Sequence, residues 1–280
     1  MEIQKIVENS EELMGYLEKP FKVQLFHQSD NVVFKLVGKT EIIAKVGLTG
    51  WAKYEFETLQ QLSRKNYDVV SPITYVSLQK QLDEDWSFGN LNREVGILFY
   101  FPLEGKNLKQ EITQVNILNG LNFLKRLHED KSLNNRIIEN YQKVEVERGL
   151  RYIKKLFNGE FADQLRVLMR RYQNVEIDHC FIHGGPRLEH FIINDNKIWM
   201  IDFEGACIGD RFKDLGIFFT ELLSHDIKKD DLIEAYFQRS LRKEEKVRLE
   251  FFELRALLVK LYFEQSKHFK NHIEKLIKSS

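Results

Sequence analysis

The fold of this chain is decided by the stretch CFIHGGPRLEHFII, residues 180–193, together with WMIDFE, residues 199–204. Two apolar runs enclose a polar loop that begins with His183 and Gly184, and Asp202 closes the next apolar run. Short apolar runs bounded by turn residues are typical of buried strands. The stretch therefore predicts two neighbouring strands, with a polar loop at the end of one and Asp202 at the end of the other.

The first third of the chain has the pattern of a small sheet with one helix. Phe56, Leu59 and Leu62 share one face of the helical segment, at the spacing of an amphipathic helix. Turn residues separate the apolar, β-branched runs on either side of it. The strands are predicted at 23–27, 32–38, 41–47, 73–79 and 95–101, and the helix at 51–65.

Helical periodicity dominates from residue 108 onward and is interrupted by the strand pair of the opening stretch. The last periodic segment, residues 243–269, is predicted as one long helix. A Pro and a Gly lie close together in FPLEGKNL, where the strand-rich part gives way to the helical part, and they predict a hinge there. We therefore predict an α+β protein with an N-terminal lobe of residues 1–101 and a helical C-terminal lobe of residues 102–280.

Composition excludes some classes of function. Among 280 residues, 42 are Lys or Arg and 42 are Asp or Glu, so no global charge attracts nucleic acid or an anionic membrane. The two cysteines match no zinc spacing and no disulfide framework. The polar N-terminus has no secretory pattern. The sequence contains no run of about eighteen apolar residues, so no membrane span is predicted. We expect a cytoplasmic protein that binds neither nucleic acid nor membrane.

The opening stretch carries most of a known catalytic pattern. The order of elements and motifs resembles the aminoglycoside phosphotransferase and choline kinase family, whose two-lobed fold is like that of protein kinases. Its loop motif is His-Gly-Asp, four variable residues, then Asn. Here His183 and Gly184 match, Gly185 replaces the Asp, and His190 replaces the Asn. Because the family Asp accepts the proton of the acceptor hydroxyl, Gly185 marks the position of a missing base.

The metal-binding motif of the family is better preserved. Asp202, Phe203 and Glu204 match Asp-Phe-Gly, with Glu in the last place. The resemblance implies that Asp202 and His190 bind Mg²⁺, although Mg²⁺ prefers oxygen ligands. It also leaves Glu204 as a candidate additional metal ligand or stand-in base, and Asp214 as an anchor for the loop.

Lys45 ends the apolar run IIAK and is the candidate phosphate-binding lysine. In protein kinases a Lys on the third strand contacts the nucleotide phosphates and pairs with a Glu of the next helix. That helix offers Glu55 or Glu57, and the family pattern of a Glu followed four and seven residues later by Leu, here Leu59 and Leu62, implies Glu55. Other residues that the resemblance assigns to ATP or GTP lie in the phosphate-covering turn, Ser29 and Asn31, and in the hinge, Tyr100 and Phe101.

Two functions are open at this point. The first is a small-molecule kinase that transfers the γ-phosphate of ATP or GTP to a hydroxyl acceptor. The second is a catalytically impaired pseudokinase that binds nucleotide or acts as a scaffold for a protein partner. Gly185 favours the second, whereas the retention of Lys45, Glu55 and Asp202 favours the first.

Overall fold

The structure is a computed structural model that describes residues 2–28, 32–78, 95–195 and 197–279. The helices are α1 (Glu2–Glu8), α2 (Glu11–Leu17), α3 (Thr49–Arg64), α4 (Gln114–Glu129), α5 (Tyr141–Leu156), α6 (Gly159–Arg171), α7 (Arg211–Glu221), α8 (Lys229–Phe237), α9 (Lys243–Glu264) and α10 (Lys267–Ser279). The strands are β1 (Lys22–Gln28), β2 (Val32–Val37), β3 (Glu41–Leu48), β4 (Pro72–Leu78), β5 (Val95–Tyr100), β6 (Lys106–Asn107), β7 (His179–Ile182), β8 (Phe191–Asn194), β9 (Lys197–Met200) and β10 (Cys207–Asp210). The predicted α+β class is confirmed.

The chain divides into two compact units. The first comprises Met1–Lys106 and Ile192–Gly205, and the second comprises Asn107–Phe191 and Ala206–Ser280. This differs from the predicted division, which assigned every residue after 101 to the C-terminal lobe. Residues Ile192–Gly205 group with the first unit because Met200 forms a parallel bridge with Val69, and its N–H donates to the carbonyl of Asp68 at 3.0 Å.

An antiparallel sheet with strand order β1-β2-β3-β5-β4 is the centre of the first unit. The predicted order of three strands, one helix and two strands is confirmed. The N-terminal helices α1 and α2 were not predicted from the sequence. They contribute four buried side chains, Ile3, Val7, Leu13 and Leu17, to the core beside the sheet. Each is only seven residues long, which is too short for a clear helical period.

The second unit consists mainly of helices, and it also contains the antiparallel pair of β7 with β10, in which Cys180 lies opposite Gly209. The prediction of one long helix over residues 243–269 is wrong. Gln265 adopts a left-handed conformation with φ of 51°, and its N–H closes α9 on the carbonyl of Leu261 at 3.0 Å. The chain then resumes as α10. In the described part of the chain, no helix has both the length and the apolar character needed to span a membrane.

Candidate active site

Lys45 is the centre of a charged cluster in the first unit. It projects from β3, is 8% exposed, and its Nζ lies 2.7 Å from Glu55 Oε2 on α3. It also forms an ion pair with Asp202 and lies 3.3 Å from Glu204 Oε2. The predicted pairing of Lys45 with Glu55 is therefore present. The alternative, Glu57, is exposed on the same helix, 3.8 Å from Lys53.

Glu55 connects three segments of the first unit. One oxygen accepts from Lys45 and the other accepts the backbone N–H of Phe203 at 3.1 Å. Burial raises the pKa of Glu55 to about 7, against the opposing attraction of Lys45. Burial alone lowers the pKa of Lys45, but the carboxylates around it prevail and raise that pKa well above its usual value. The cluster therefore holds a charged lysine among carboxylates.

The backbone at Asp202 adopts a strained conformation that neighbouring contacts hold in place. Its φ is 70°, in the left-handed region that residues other than glycine adopt infrequently. The next residue, Phe203, is fully buried and begins a short 3₁₀-helix, Phe203–Gly205. The hydrogen bond from Phe203 N–H to Glu55 holds this conformation, and Asp202 contacts Lys45. Strain of this kind is concentrated at functional sites.

The carboxylates of this cluster suit a divalent cation. Glu55, Asp202 and Glu204 each offer an oxygen atom, and the three atoms lie within 4.8 Å of one another. Carboxylate oxygens are the ligands that Mg²⁺ prefers. Lys45 supplies one positive charge against three carboxylates, so the cluster has an excess of negative charge that a metal ion would offset. The donor set therefore fits the predicted metal.

The predicted purine hinge is used partly by the fold itself. The backbone N–H of Phe101 donates to the carbonyl of Ser71 at 3.3 Å, and its ring packs edge-on against Tyr16 with centroids 5.1 Å apart. Tyr100 is the last residue of β5, and burial raises the pKa of its hydroxyl. A base bound here would need a backbone group other than the N–H of Phe101. The other predicted nucleotide ligands, Ser29 and Asn31, lie outside the described residues.

In the second unit, a buried carboxylate on α7 anchors the polar loop after β7. Asp214, on α7, accepts the backbone N–H groups of His183 and Gly184, each at 2.8 Å. It also lies 3.0 Å from Nε2 of His128, whose Nδ1 lies 2.6 Å from the hydroxyl of Tyr236. Burial would raise the pKa of Asp214, but these hydrogen bonds lower it. The predicted anchoring role of Asp214 is confirmed, whereas Tyr236 had no signal in the sequence.

Asp214→Ala is expected to destabilise the protein by about 2–3 kcal/mol, because it leaves buried donors of His183, Gly184 and His128 without their acceptor. Tyr236→Phe, which removes a single partner of His128, is expected to cost about 1 kcal/mol. Urea unfolding of both variants measures the difference. Equal losses in the two variants would contradict an anchoring role for Asp214.

His183 and His190 shape the loop. His183 is buried, and its Nδ1 accepts the N–H of Gly185 at 3.3 Å. The ring of His190 lies 5.6 Å from that of His183, and its Nδ1 accepts the N–H of Arg187 at 3.5 Å. These contacts give His183 a positioning role within the loop. The assignment of His190 as a metal ligand together with Asp202 stays a prediction.

Gly185 leaves open space above the loop. A Cβ atom built on it meets nothing within 4 Å, and its backbone lies outside the left-handed region. Gly184, with φ of 88°, is the residue that needs the freedom of glycine. The absence of a side chain at 185 is therefore not imposed by the geometry of the loop.

Glu189 is not available as a substitute base. Its Oε1 lies 3.1 Å from Nη1 of Arg187 and its Oε2 lies 3.3 Å from Nζ of Lys109. Burial would raise the pKa of Glu189, but the two cations lower it. A carboxylate held in this way is a weak proton acceptor at neutral pH. Lys109 was not found from the sequence.

The predicted site residues thus fall into two groups. Lys45, Glu55, Asp202 and Glu204 come together in the first unit. His183, Gly185 and His190 come together in the second unit.

Comparison with known proteins gave a family-model match over part of the chain and a shared fold. Residues 121–252 match the model of a family described as "Phosphotransferase enzyme family". A comparison with curated proteins gave no match.

Solved structures align with nearly the whole chain at low identity. Amicoumacin kinase hAmiN, in complex with AMP-PNP, Ca²⁺ and Ami, has a TM-score of 0.64 and 12% identity, covering 98% of this chain and 94% of that chain. A putative fructosamine-3-kinase from Haemophilus somnus 129PT has a TM-score of 0.67 and 15% identity, and the alignment covers 99% of this chain and 96% of that chain. A thermostable mutant of aminoglycoside phosphotransferase APH(4)-Ia, with AMP-PNP and hygromycin B, has a TM-score of 0.70 and 12% identity, and the alignment covers 99% of this chain and 97% of that chain. They show that this chain shares a kinase-like fold.

Proposed function

We propose that this chain is a member of the phosphotransferase enzyme family that binds ATP or GTP with Mg²⁺ and transfers the γ-phosphoryl group to a small-molecule acceptor. The observation that carries the proposal is the cluster of Lys45 with Glu55, Asp202 and Glu204. Two of the similar solved structures contain AMP-PNP, and one of these also contains Ca²⁺. These ligands support a nucleotide and a divalent cation as partners of this fold.

The residues of the cluster would have different roles in binding the metal and the nucleotide. Asp202 and Glu204 would hold the metal, because Asp202 is partly exposed and strained and Glu204 lies in the 3₁₀-helix that directly follows it. Glu55 is 3% exposed and is already occupied by Lys45 and Phe203, so it keeps Lys45 in place. Lys45 then supplies a positive charge to the nucleotide phosphates. Bound Mg²⁺ would offset the negative charge that develops on the transferred phosphoryl group.

The lack of a side chain at Gly185 lowers catalytic power without removing the site. General base assistance typically contributes about 10²–10⁴-fold. Phosphoryl transfer passes through a loose transition state, in which positioning and electrostatic stabilisation supply most of the catalysis. Lys45 and the carboxylates that provide these effects are present, so nucleotide binding is expected to be intact.

The experiment is a calorimetric titration of ATP and GTP with and without Mg²⁺. Asp202→Ala is expected to weaken Mg²⁺-dependent binding by about 100-fold, since it removes a charged ligand worth roughly 3 kcal/mol. Asp163→Ala is the matched control, because Asp163 is an exposed carboxylate paired with Arg166 on α6. It should bind nucleotide like the unmodified protein.

Two results would contradict the proposal. One is binding that does not respond to Mg²⁺ or to Asp202→Ala, which would place the nucleotide elsewhere. The other is no binding of either nucleotide. That second result would favour the pseudokinase alternative, and protein partners should then be sought.

A further inference from the structure

Two cations flank the loop at which the acidic side chain is missing. Lys109 and Arg187 each form an ion pair with Glu189, at 3.3 and 3.1 Å. Their side chains are 64% and 51% exposed, so both can still contact a ligand. One carboxylate between two cations leaves a net positive charge. Ammonium and guanidinium groups arranged in this way are suited to binding a carboxylate or a phosphate group.

The fold holds both cations at the loop. Arg187 directly precedes the short 3₁₀-helix Leu188–His190, and the N–H of His190 donates to its carbonyl at 2.9 Å. Lys109 follows Leu108, whose N–H donates to the carbonyl of Phe191 at 2.8 Å, at the other end of the loop. Backbone hydrogen bonds therefore bring Lys109 to Glu189 across 80 residues of sequence. The arrangement belongs to the fold of the second unit.

The loop does not provide a free carboxylate that can take a proton from a hydroxyl group. All of residues 183–190 are described, and Glu189 is their only carboxylate. Both of its oxygen atoms are engaged by Lys109 and Arg187. Asp214, below the loop, is fully buried and accepts hydrogen bonds from the loop backbone. The loop therefore lacks the carboxylate base that a hydroxyl acceptor uses, and a nucleophile that has no proton to lose does not need one.

We propose, on the premise of the kinase function above, that the acceptor carries an anionic oxygen, from a carboxylate or a phosphate group, which Arg187 and Lys109 bind. A lone pair of this oxygen forms a bond to the γ-phosphorus. The bond from the γ-phosphorus to its bridging oxygen breaks, and the nucleoside diphosphate leaves with that electron pair. No proton moves, and the product is an acyl phosphate or a diphosphate. The two cations offset the negative charge of the acceptor.

The first test measures binding of simple anions at the loop. Inorganic phosphate and acetate are titrated separately into the nucleotide-free protein, up to tens of millimolar, while backbone amide NMR signals of the loop are followed. We expect saturable shifts at residues 184–190. Arg187→Gln and Lys109→Gln should each weaken the binding by about tenfold, since each removes one charge-assisted contact worth roughly 1.4 kcal/mol. Arg166→Gln, which changes a partly exposed arginine on α6, should leave it unchanged.

Several results would overturn the proposal. One is that neither anion shifts the amide signals of the loop. Another is that Arg187→Gln binds the anions as tightly as the unmodified protein does. A third is that Arg166→Gln weakens anion binding as much as Arg187→Gln does. Shifts at the loop with glycerol or spermidine instead of the anions would also overturn it. Arg187 is half exposed, so its substitution is expected to leave the fold intact, and far-ultraviolet circular dichroism checks this.

The second test identifies the source of the anionic oxygen. Nucleoside diphosphate release is measured with panels of carboxylates, phosphate monoesters and neutral alcohols. Turnover with carboxylates whose product hydroxylamine traps as a hydroxamate assigns an acyl phosphate, and a diphosphate signal in phosphorus NMR assigns a phosphate acceptor. Turnover confined to alcohols would overturn the proposal. Failure of the kinase function itself is distinguishable, because it appears as absent nucleotide binding while the anion titrations, which contain no nucleotide, still report on the loop.

Discussion

Gly185→Asp is expected to raise the rate of phosphoryl transfer to hydroxyl acceptors by about 10²–10⁴-fold, the usual contribution of general base catalysis. The geometry of the loop permits this substitution. A Cβ at 185 meets no atom within 4 Å, and the backbone there is outside the left-handed region. The new carboxylate would stand where the family motif has its Asp. The measurement is kcat/KM for a panel of alcohols and amino sugars, with the nucleotide dissociation constant as a second readout.

The matched control for this gain is Gly185→Asn, which has nearly the same shape as Asp and cannot accept a proton to the same extent. It should remain near the rate of the unmodified protein. Gly184→Asp serves as a geometric control, because φ of 88° at Gly184 disfavours a side chain and predicts a loss of stability. Equal rates for Gly, Asn and Asp at position 185 would contradict a missing base.

The same substitution separates the two classes of acceptor. An aspartate at 185 adds negative charge to the loop that carries Arg187, so it should weaken the binding of an anionic acceptor while it improves transfer to a hydroxyl. We therefore expect kcat/KM to fall for anionic acceptors and to rise for hydroxyl acceptors. Improvement with both classes would argue against the anionic acceptor and leave the kinase function in place.

Local patterns in the sequence were sufficient for much of the fold and part of the site. Lys45 and Glu55 were paired by their resemblance to the kinase pattern, in which a Lys on the third strand pairs with a Glu of the next helix that is followed four and seven residues later by Leu. Asp202 was found because the apolar strand before it and the Phe after it form a recognisable motif. Asp214 was found because it follows that motif at a characteristic distance. In each case the information lies in residues that are close in sequence.

Features that depend on long-range contacts were missed. Lys109 meets Glu189 across 80 residues, and Tyr236 meets His128 across 108 residues, without any local signal for either contact. The grouping of residues 192–205 with the first unit depends on similar long-range contacts, such as the hydrogen bond from Phe203 to Glu55. The break between α9 and α10 was missed for another reason. Gln265 is a non-glycine residue in the left-handed region, so no glycine marks the end of α9 in the sequence.

Lys45→Met is expected to destabilise the protein by about 3–5 kcal/mol, because removal of one partner leaves buried charge without compensation. Glu55, which is 3% exposed, would lose its cation beside Asp202 and Glu204. Urea unfolding measures the loss. Lys53→Met is the matched control, since Lys53 makes an exposed pair with Glu57 on α3, and such pairs contribute about 0–1 kcal/mol.

The pH dependence of this loss gives a second check. Glu55 in the fold has a pKa of about 7, above its ordinary 4.5, so its ionised form is disfavoured by folding. Loss of Lys45 removes the attraction that lowers this pKa, so the pKa of Glu55 rises further in the variant. The added penalty is small near pH 5, where Glu55 is protonated in both folded proteins, and it grows as the pH rises through about 7. The destabilisation by Lys45→Met should therefore be larger at pH 8 than at pH 5, roughly by 1–2 kcal/mol.

Mg²⁺ should stabilise Lys45→Met more than the unmodified protein. In the variant the three carboxylates have no internal cation, so a divalent ion gains their full attraction and does not compete with a lysine. Thermal unfolding with and without Mg²⁺ measures the two shifts, and adding Asp202→Ala to Lys45→Met should remove the difference. The absence of a shift in both proteins would show that the carboxylates bind no metal, and that Lys45 pairs with them for a structural purpose.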